Sequence, residues 1–313
     1  MNLNSKILLP GGAGLVGQNL IARLIKKGYK NIVVIDKHQA NLNILKKIQP
    51  TINTVYADLA IAGDWQKHFA SADVVVMLQA QIGGNDIQDF IRNNIDSTRI
   101  ILEQIKINKI PRLIHISSSV VMSMADDFYT QTKKTQEQMV LESGILCPIL
   151  RPTLMFGWFD RKHLGWLSRF MKKSPVFPIP GHGQYIRQPL YVGDFCNIII
   201  SCLNSHTVNG TFNISGHEKI DYIDIIQEIK RTTKAKTIIT RIPYRFFYAL
   251  LWTWGVFDRN PPFTTQQLAA LIAKDEFEII NWPKIFDVSY TPFSRAVEET
   301  FNHPIYSKVE LEF

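Results

Sequence analysis

Tyr129 and Lys133 form the one Tyr-x-x-x-Lys pair in the chain, and Tyr129 comes eleven residues after the middle of a Ser117-Ser118-Ser119 run. Residues four apart share a helix face, so a helix here would set a phenol beside an ammonium. A free phenol titrates near about 10 and is a poor base at neutral pH. A neighbouring cation favours the phenolate and should lower that value. The chemistry that fits is removal of a proton from a substrate hydroxyl as hydride leaves the carbon beneath it. Tyr129 would be the base and Lys133 its tuning cation. Ser118 would hold the reacting oxygen, with Ser119 beside it against the substrate.

Hydride needs an acceptor, and the N-terminus supplies a place for one. Gly11, Gly14 and Gly17 make G-x-x-G-x-x-G between the apolar run Lys6–Pro10 and an amphipathic stretch from Gln18 to Lys27. Such glycines permit a tight turn, close approach of backbone to a pyrophosphate, and close helix–sheet contact, with the helix N-terminus facing the phosphates. Asp36 closes the next β-branched run, Asn31–Asp36, 19 residues beyond Gly17. A carboxylate at that spacing accepts hydrogen bonds from an adenosine ribose and repels a 2′-phosphate, so NAD is expected over NADP. Lys37 and His38 leave a small opening for NADP. Asp58 either meets the adenine amine or caps a helix. A nicotinamide cation would join Lys133 in favouring the Tyr129 phenolate.

These residues need a scaffold that brings strand ends together. Strand runs at Lys6–Pro10, Asn31–Asp36, Asn53–Tyr56, Asp73–Leu78 and Arg112–Ile116 alternate with helical stretches at Gln18–Lys27, Gln39–Ile48 and Asp89–Asn108. Alternation of this kind implies a parallel sheet covered on both faces. Thr130–Glu142 reads as helix and Cys147–Arg151 as strand. From Gly157 to Gly183 the chain is aromatic, basic and proline-containing, suited to a lid. Leu190–Val192, Phe195–Leu203 and Thr211–Ile214 read as a return to the sheet. The expected fold is α/β, a Rossmann-type doubly wound parallel sheet with a smaller, mostly helical substrate-binding subdomain. Residues 1–156 with 187–215 would form the dinucleotide domain, and 157–186 with 216–313 the substrate subdomain.

Composition is consistent with this. The 313 residues are 46% hydrophobic and 20% charged, which excludes a disordered chain, a disulfide-stapled miniprotein and a fibrous repeat. The formal charge of +8 suits an anionic partner without choosing among nucleotide, lipid surface and nucleic acid. The basic residues are dispersed and form no nucleic-acid-binding motif. Cys147, Cys196 and Cys202 make an odd count without metal-ligand spacing, so no metal is expected and a reducing compartment fits best. No leader pattern opens the chain, and its longest apolar run, Phe246 to Phe257, has 12 residues, short of the roughly 20 that span a bilayer. The expected location is cytoplasmic.

Together these motifs resemble the extended short-chain dehydrogenase/reductases of the nucleotide-sugar epimerase/dehydratase kind. The resemblance runs through Gly11–Gly17, Asp36, Asp58-Leu59, Leu78-Gln-Ala80, Asn94-Ile95 with Thr98, Ser117–Ser119, Tyr129-x-x-x-Lys133 and Arg151-Pro-Thr-Leu-Met-Phe-Gly157. It implies that Leu15, Val16, Leu59, Leu78, Ala80, Asn94 and Pro152 line the cofactor with the glycines and acids, and that Tyr129 and Lys133 touch it. By the same resemblance Arg187, in Arg187-Gln-Pro-Leu-Tyr-Val-Gly-Asp194, grips the diphosphate of a UDP-type sugar. Asp194 is expected to cap the helix after it. Lys162, His163 and Arg169 are either further ligand contacts or a solvated basic face.

The chain also departs from that family. Pro10 replaces a threonine, Met77 and Gln79 alter a His-Leu-Ala-Ala stretch, and Leu154 replaces an asparagine that faces the sugar nucleotide. The Ser118-to-Tyr129 interval is short. The Thr-Asp-Glu of the 4,6-dehydratases is absent, since Ser117–Ser119 is followed by Val120-Val121 with no carboxylate until Asp126. Redox at one carbon of a nucleotide-activated hexose is therefore expected, with 4-epimerisation for surface polysaccharide first. The alternatives are an NAD(P)H-dependent 4-keto-deoxysugar reductase, a dehydrogenase of a non-sugar alcohol, and a non-catalytic NAD-sensing protein. A homodimer is implied. The aromatic stretch 246–257 is expected to pack within the substrate subdomain or a dimer interface, with peripheral membrane contact as the other reading.

Overall fold

Strands with both faces covered should be apolar at every position, and β1 (Ile7–Pro10) is buried throughout. A computed structural model describes residues 1–205, 207–257, 265–272 and 278–312. After β1 come α1 (Leu15–Lys26), β2 (Ile32–Asp36), α2 (Gln39–Ile48), β3 (Asn53–Tyr56) and β4 (Val74–Met77). One long helical passage follows, α3 (Ile87–Phe90), a π-helical segment Ile91–Asp96 and α4 (Ser97–Ile107). The wider π turn sits where Asn93 and Asn94 are buried. Then come β5 (Leu113–Ile116), α5 (Phe128–Glu142) and β6 (Pro148–Pro152).

The second half carries β7 (Met155–Phe156), α6 (Leu164–Lys173), β8 (Val176–Pro180), β9 (Ile186–Arg187), β10 (Leu190–Tyr191), α7 (Val192–Asn204) and β11 (Gly210–Ile214). It continues with β12 (Ile220–Asp221), α8 (Tyr222–Thr233), β13 (Ile238–Ile242) and four helices, α9 (Tyr244–Phe257), α10 (Thr265–Ile272), α11 (Trp282–Phe286) and α12 (Phe293–Asn302).

Seven strands form one parallel sheet in the order β3-β2-β1-β4-β5-β6-β11. Alternate residues feed opposite cores, as the period of two requires. Ile7, Leu9, Val34, Val76 and Ile114 face the core shared with α1, α2 and α7. Leu8, Val33, Ile35, Val75 and Leu113 face the core shared with α4 and α5. Each such side chain contributes about 1.5–3 kcal/mol by leaving water. The chain reverses its direction of winding between β1 and β4, and this is where ligands of open α/β sheets bind, at the carboxyl ends of the strands.

Three expectations are corrected. Of the segments read as a return to the sheet, only Gly210–Ile214 enters it, beside β6. Leu190-Tyr191 pairs with Met155-Phe156 instead, and 192–204 is the buried helix α7, whose apolar faces pass for a strand over a short window. Asp194 does not cap that helix. Its carboxylate accepts the Thr291 N–H at 2.8 Å and the Thr291 hydroxyl at 2.6 Å, binding the C-terminal segment to α7. Burial pushes its carboxyl up to about 6 against those donors. The aromatic helix α9 is not a packed element of the chain's own core, for none of its residues is buried and only Tyr244, Phe247 and Leu251 are half-buried. All three cysteines are free and buried, and burial pushes Cys147 up to about 11 and Cys196 and Cys202 up to about 12. They are core residues, not reactive thiolates.

Candidate active site

Five strand ends converge at the switch point. The glycine loop leaves β1, Asp36 ends β2, Leu78-Gln-Ala80 leaves β4, Ser117–Ser119 leaves β5 and Pro152 ends β6. Gly11 has φ of 75°, and a Cβ there would lie 2.4 Å from the Gln79 backbone. A side chain at Gly17 would come within 2.2 Å of the Gly12 carbonyl, so α1 can sit against its loop only because that residue is glycine. Gly14 is the extended residue before α1, and no side chain caps the helix. The first-turn N–H groups therefore have no intrahelical acceptor and are available to phosphate oxygens.

Asp36 is fixed by backbone. Its Oδ2 accepts the Ala13 N–H at 3.0 Å and its Oδ1 the His38 N–H at 2.9 Å. Burial pushes its carboxyl up, and those two N–H groups oppose the shift. Each oxygen keeps a lone pair for a ribose hydroxyl. The residues that left an opening for NADP have protein partners: Lys37 donates to Asn93 at 2.7 Å, and His38 accepts from the Asn41 N–H at the start of α2. Asp58 accepts the Ala60 N–H at 2.9 Å and pairs with Arg92 at 2.7 Å. It therefore organises the turn after β3 and reaches α4's lead-in.

The residues expected to line the cofactor sort by what they touch. The Leu78 N–H donates to the Pro10 carbonyl at 2.9 Å, fastening the β4 end to the loop. Ala80 is exposed, and Pro152 is buried at the end of β6. Leu15 packs with Trp158 and Phe159, Val16 joins the α7-side core and Leu59 the α5-side core. Asn94 accepts the Gln81 N–H at 2.7 Å and donates to Thr132 at 2.9 Å, tying the loop after β4 to α5. Gln79 donates to Thr98 at 3.2 Å, but its buried Oε1 has no partner among the described residues. A buried carbonyl oxygen beside the phosphate loop is an acceptor waiting for a ligand group, and together with the open helix end it fits a dinucleotide.

Ser118, Tyr129 and Lys133 lie beyond the end of β5 and on α5. Asp127 caps α5, accepting the Thr130 N–H at 2.9 Å, which places half-buried Tyr129 in the helix's first turn. The Ser118 side chain lies close enough to the Tyr129 hydroxyl to favour its ionised form. Ser119 opens a short 3₁₀ turn to Met122. Burial pushes the Tyr129 phenol up, with the Ser118 hydroxyl opposing and the Asp127 carboxylate adding. The lowering expected from Lys133 is therefore not produced by the protein alone. Lys133 is buried one turn on, its Nζ donating to the Ile116 carbonyl at 3.2 Å and to Gln136. Burial pushes it down to about 7 against the pull of Glu137, so at neutral pH it carries only part of its charge.

That shift has a consequence for stability. The unfolded chain holds the Lys133 proton up to the ordinary lysine value of 10.5 while the folded protein releases it at about 7. The unfolded state then binds more protons across that window, so stability rises with pH through it, by a few kcal/mol at about 1.4 kcal/mol per pH unit. Thermal melts of wild type and Lys133→Met without dinucleotide should diverge accordingly. The wild-type midpoint climbs from pH 7 to 10 relative to the variant, and parallel curves would refute the buried-ammonium account.

Spacing alone did not single out the supports beneath these groups. Gln136 bridges Lys133 to Thr98 at 2.9 Å, and Glu137 accepts from Ser117 at 2.5 Å and from Arg151. Glu137 follows Lys133 by four residues on α5, which is the only signal the sequence offered. His115, on β5, is fully buried, and neither ring nitrogen has a partner among the described residues. Burial and the Lys133 charge push its pKa well down, which keeps it neutral.

Of the later residues, Arg187 lies in the small ladder β9–β12, donates to the Ile186 carbonyl at 3.2 Å and places its charge near Tyr222. Leu154 is half-exposed after β6. Arg169 pairs with Glu310 at 3.3 Å, so it buttresses the C-terminal tail. The Lys162 ammonium reaches the loop after β4, 3.9 Å from where a Cβ on Gly83 would stand.

The model of the NAD dependent epimerase/dehydratase family matches residues 7–215. The chain is 27% identical over 261 residues to a trifunctional UDP-glucose 4,6-dehydratase/UDP-4-keto-6-deoxy-D-glucose 3,5-epimerase/UDP-4-keto-L-rhamnose-reductase of Arabidopsis thaliana, a match covering 72% of this chain and 39% of that protein. It thus spans well under half the length of that relative. It is 21% identical over 281 residues to the UDP-N-acetyl-alpha-D-glucosaminuronate decarboxylase of Bacillus cytotoxicus, covering 79% of this chain and 86% of that one. The crystal structure of UDP-glucuronic acid 4-epimerase from Bacillus cereus in complex with NAD superposes with a TM-score of 0.73 at 22% identity, over 95% of this chain and 96% of that chain.

Proposed function

Because this chain belongs to the NAD dependent epimerase/dehydratase family, we propose that it is an NAD-dependent enzyme that interconverts the C4 epimers of a nucleotide-activated hexose. The observation that carries the reading is that Ser118, after β5, and Tyr129, in the first turn of α5, bring their side chains together, across the switch point from the glycine loop. The dinucleotide would be held by α1's N-terminus at its pyrophosphate and by Asp36 at its ribose, with Leu78, Ala80, Asn94 and Pro152 around it. When bound, NAD would supply a hydride acceptor and donor for the sugar carbon, and its oxidised ring would add positive charge to that of the partly charged Lys133.

The chain's own residues move the proton. Burial keeps Tyr129 protonated in the free protein, so it becomes a base only when positive charge is added beside it. It would then accept the proton of the sugar 4-hydroxyl while Ser118 donates to that oxygen, and give the proton back to the same oxygen when the 4-keto carbon receives hydride on its other face. Lys133 positions the cofactor ribose and sets how readily Tyr129 ionises. We assign 157–186 and 216–313 to substrate binding, with Arg187 on the diphosphate of a UDP-type sugar and Ser119 beside Ser118. The Arabidopsis thaliana enzyme and the Bacillus cereus 4-epimerase are both named for UDP-sugars, and this supports the same substrate class here. A homodimer in the cytoplasm, serving surface polysaccharide, completes the proposal.

Water elimination is disfavoured by the local acids. Asp126 is engaged with Gln131 at 2.7 Å and Asp127 caps α5, while Glu137 is bound to Arg151. A dehydratase needs a carboxylic acid poised to protonate the leaving oxygen, and these three are otherwise occupied. The reductase of 4-keto-deoxysugars remains the second reading, supported by a Tyr129 that the free protein holds in its proton-donating form.

Nucleotide released on denaturing freshly purified protein, followed by NMR of UDP-hexoses incubated with it, distinguishes them. Near-stoichiometric NAD and a new C4 epimer are expected. An empty site, with turnover only on added NAD(P)H and a 4-keto sugar, would replace the epimerase with the reductase.

A further inference from the structure

Helix α9 has a surface that the proposed reaction does not use. Whereas α1, α7 and α8 each bury a row of apolar side chains, α9 buries none. Tyr244, Phe247 and Leu251, spaced by three and four, are half-buried and form its inward line. Around the remainder Phe246, Tyr248, Leu250, Trp252, Val256 and Phe257 are exposed, from 42% at Tyr248 to 90% at Phe257. No charged residue falls between Phe246 and Phe257. The Thr253 hydroxyl is turned back onto the Ala249 and Leu250 carbonyls at 3.0 and 2.9 Å, so it presents no polar face to water.

Which occupant suits this helix follows from its circumference. A helix docked on another protein shows one apolar stripe and keeps a polar back, because the partner covers only one side. The exposed apolar residues of α9 surround most of the helix, which asks for an apolar phase instead. Its 14 residues extend about 21 Å at 1.5 Å per residue, short of the ~30 Å hydrocarbon core. No described helix is long and apolar enough to cross a membrane. The helix can therefore lie in a bilayer surface without spanning it.

Charge selects the kind of surface. Between Glu228 and Asp258 the chain carries Lys230, Arg231, Lys234, Lys236, Arg241 and Arg245 and no acid. Arg231 is held by Glu228, but Arg241, just before α9, and Arg245, in its first turn, are exposed. Aromatic side chains beside cations make up the composition of helices seated at anionic headgroups. We propose that α9 is a peripheral membrane anchor, seated at the headgroup–acyl boundary of a bilayer containing anionic phospholipid, with Arg241 and Arg245 among the headgroups. The catalytic sheet would then work at the membrane surface whichever sugar it accepts.

Flotation of the full-length protein with vesicles tests this. Wild type should rise with phosphatidylethanolamine–phosphatidylglycerol vesicles and far less with phosphatidylcholine alone. Phe246→Ser with Trp252→Ser should reduce the floated fraction about tenfold while keeping the wild-type melting midpoint and nucleotide content, which excludes misfolding as the cause. Arg241→Gln with Arg245→Gln should remove only the preference for phosphatidylglycerol. A wild type that stays at the bottom with both vesicles, or a Phe246/Trp252 double variant that floats like wild type, overturns the anchor. So does a lipid-free dimer that dissociates in that double variant, since α9 would then be a contact between copies of the chain.

Discussion

Tyr129→Phe should lower turnover by about 10³-fold, the middle of the range for loss of a positioned proton-transfer group and about 4 kcal/mol of barrier. The ring stays and only the hydroxyl goes, so the packing of α5 is retained. The hydroxyl's interaction with Ser118 is lost, and a neutral polar contact of this kind is worth at most about 1 kcal/mol. Dinucleotide content and melting midpoint should therefore match wild type while the rate collapses, as measured by product NMR alongside nucleotide released on denaturation. Ser118→Ala should cost less, since it removes an orienting donor and leaves the proton acceptor in place. If Tyr129→Phe turns over like wild type, the proton moves elsewhere or the protein is an NAD sensor rather than an enzyme.

The second large effect lies one layer beneath the site. Glu137 is buried, with 6% of its side chain exposed against 17% for Arg151, its ion-pair partner. It also accepts the Ser117 hydroxyl at 2.5 Å. Replacing it by Ala would leave the guanidinium half-enclosed without a counter-charge, and breaking a pair of this kind costs about 3–5 kcal/mol. Glu137→Gln keeps the shape and should cost less. Urea unfolding of both, in a double-mutant cycle with Arg151→Met, should return a coupling of more than about 1 kcal/mol. The same carboxylate draws the Lys133 pKa upward, so turnover in Glu137→Gln should need a lower pH to keep Lys133 charged, moving the rate profile acidward. Additive stabilities with an unchanged profile would reduce Glu137 to a filler.

Much of the site was legible because its signals are local. Gly11, Gly14 and Gly17 announce themselves because a turn between strand and helix has few steric solutions. Asp36 is marked by its distance from them, and Tyr129 and Lys133 by a helical turn. The alternation of apolar runs also gave the sheet, since burial of both faces writes itself into four or five consecutive residues. The reading failed where one window served two structures: the apolar 192–204 looks like strand when short and is a helix because its burial continues for three turns.

What the tertiary structure alone decided are pairings across long separations and the burial that sets charge. Asp194 meets Thr291, 97 residues on, rather than capping its own helix. Trp158 stacks under Arg23, whose guanidinium lies 4.1 Å from its ring, and no spacing rule connects positions so far apart. Spacing put Lys133 beside Tyr129, yet whether it arrives charged depends on how completely α5, Gln136 and the Ile116 carbonyl enclose it. Sequence likewise records that α9 is aromatic and uncharged, and only the packed chain shows which way it faces. Local sequence sets which conformations a segment prefers. Partners and desolvation belong to the whole fold, because they depend on which surfaces the other segments have already covered.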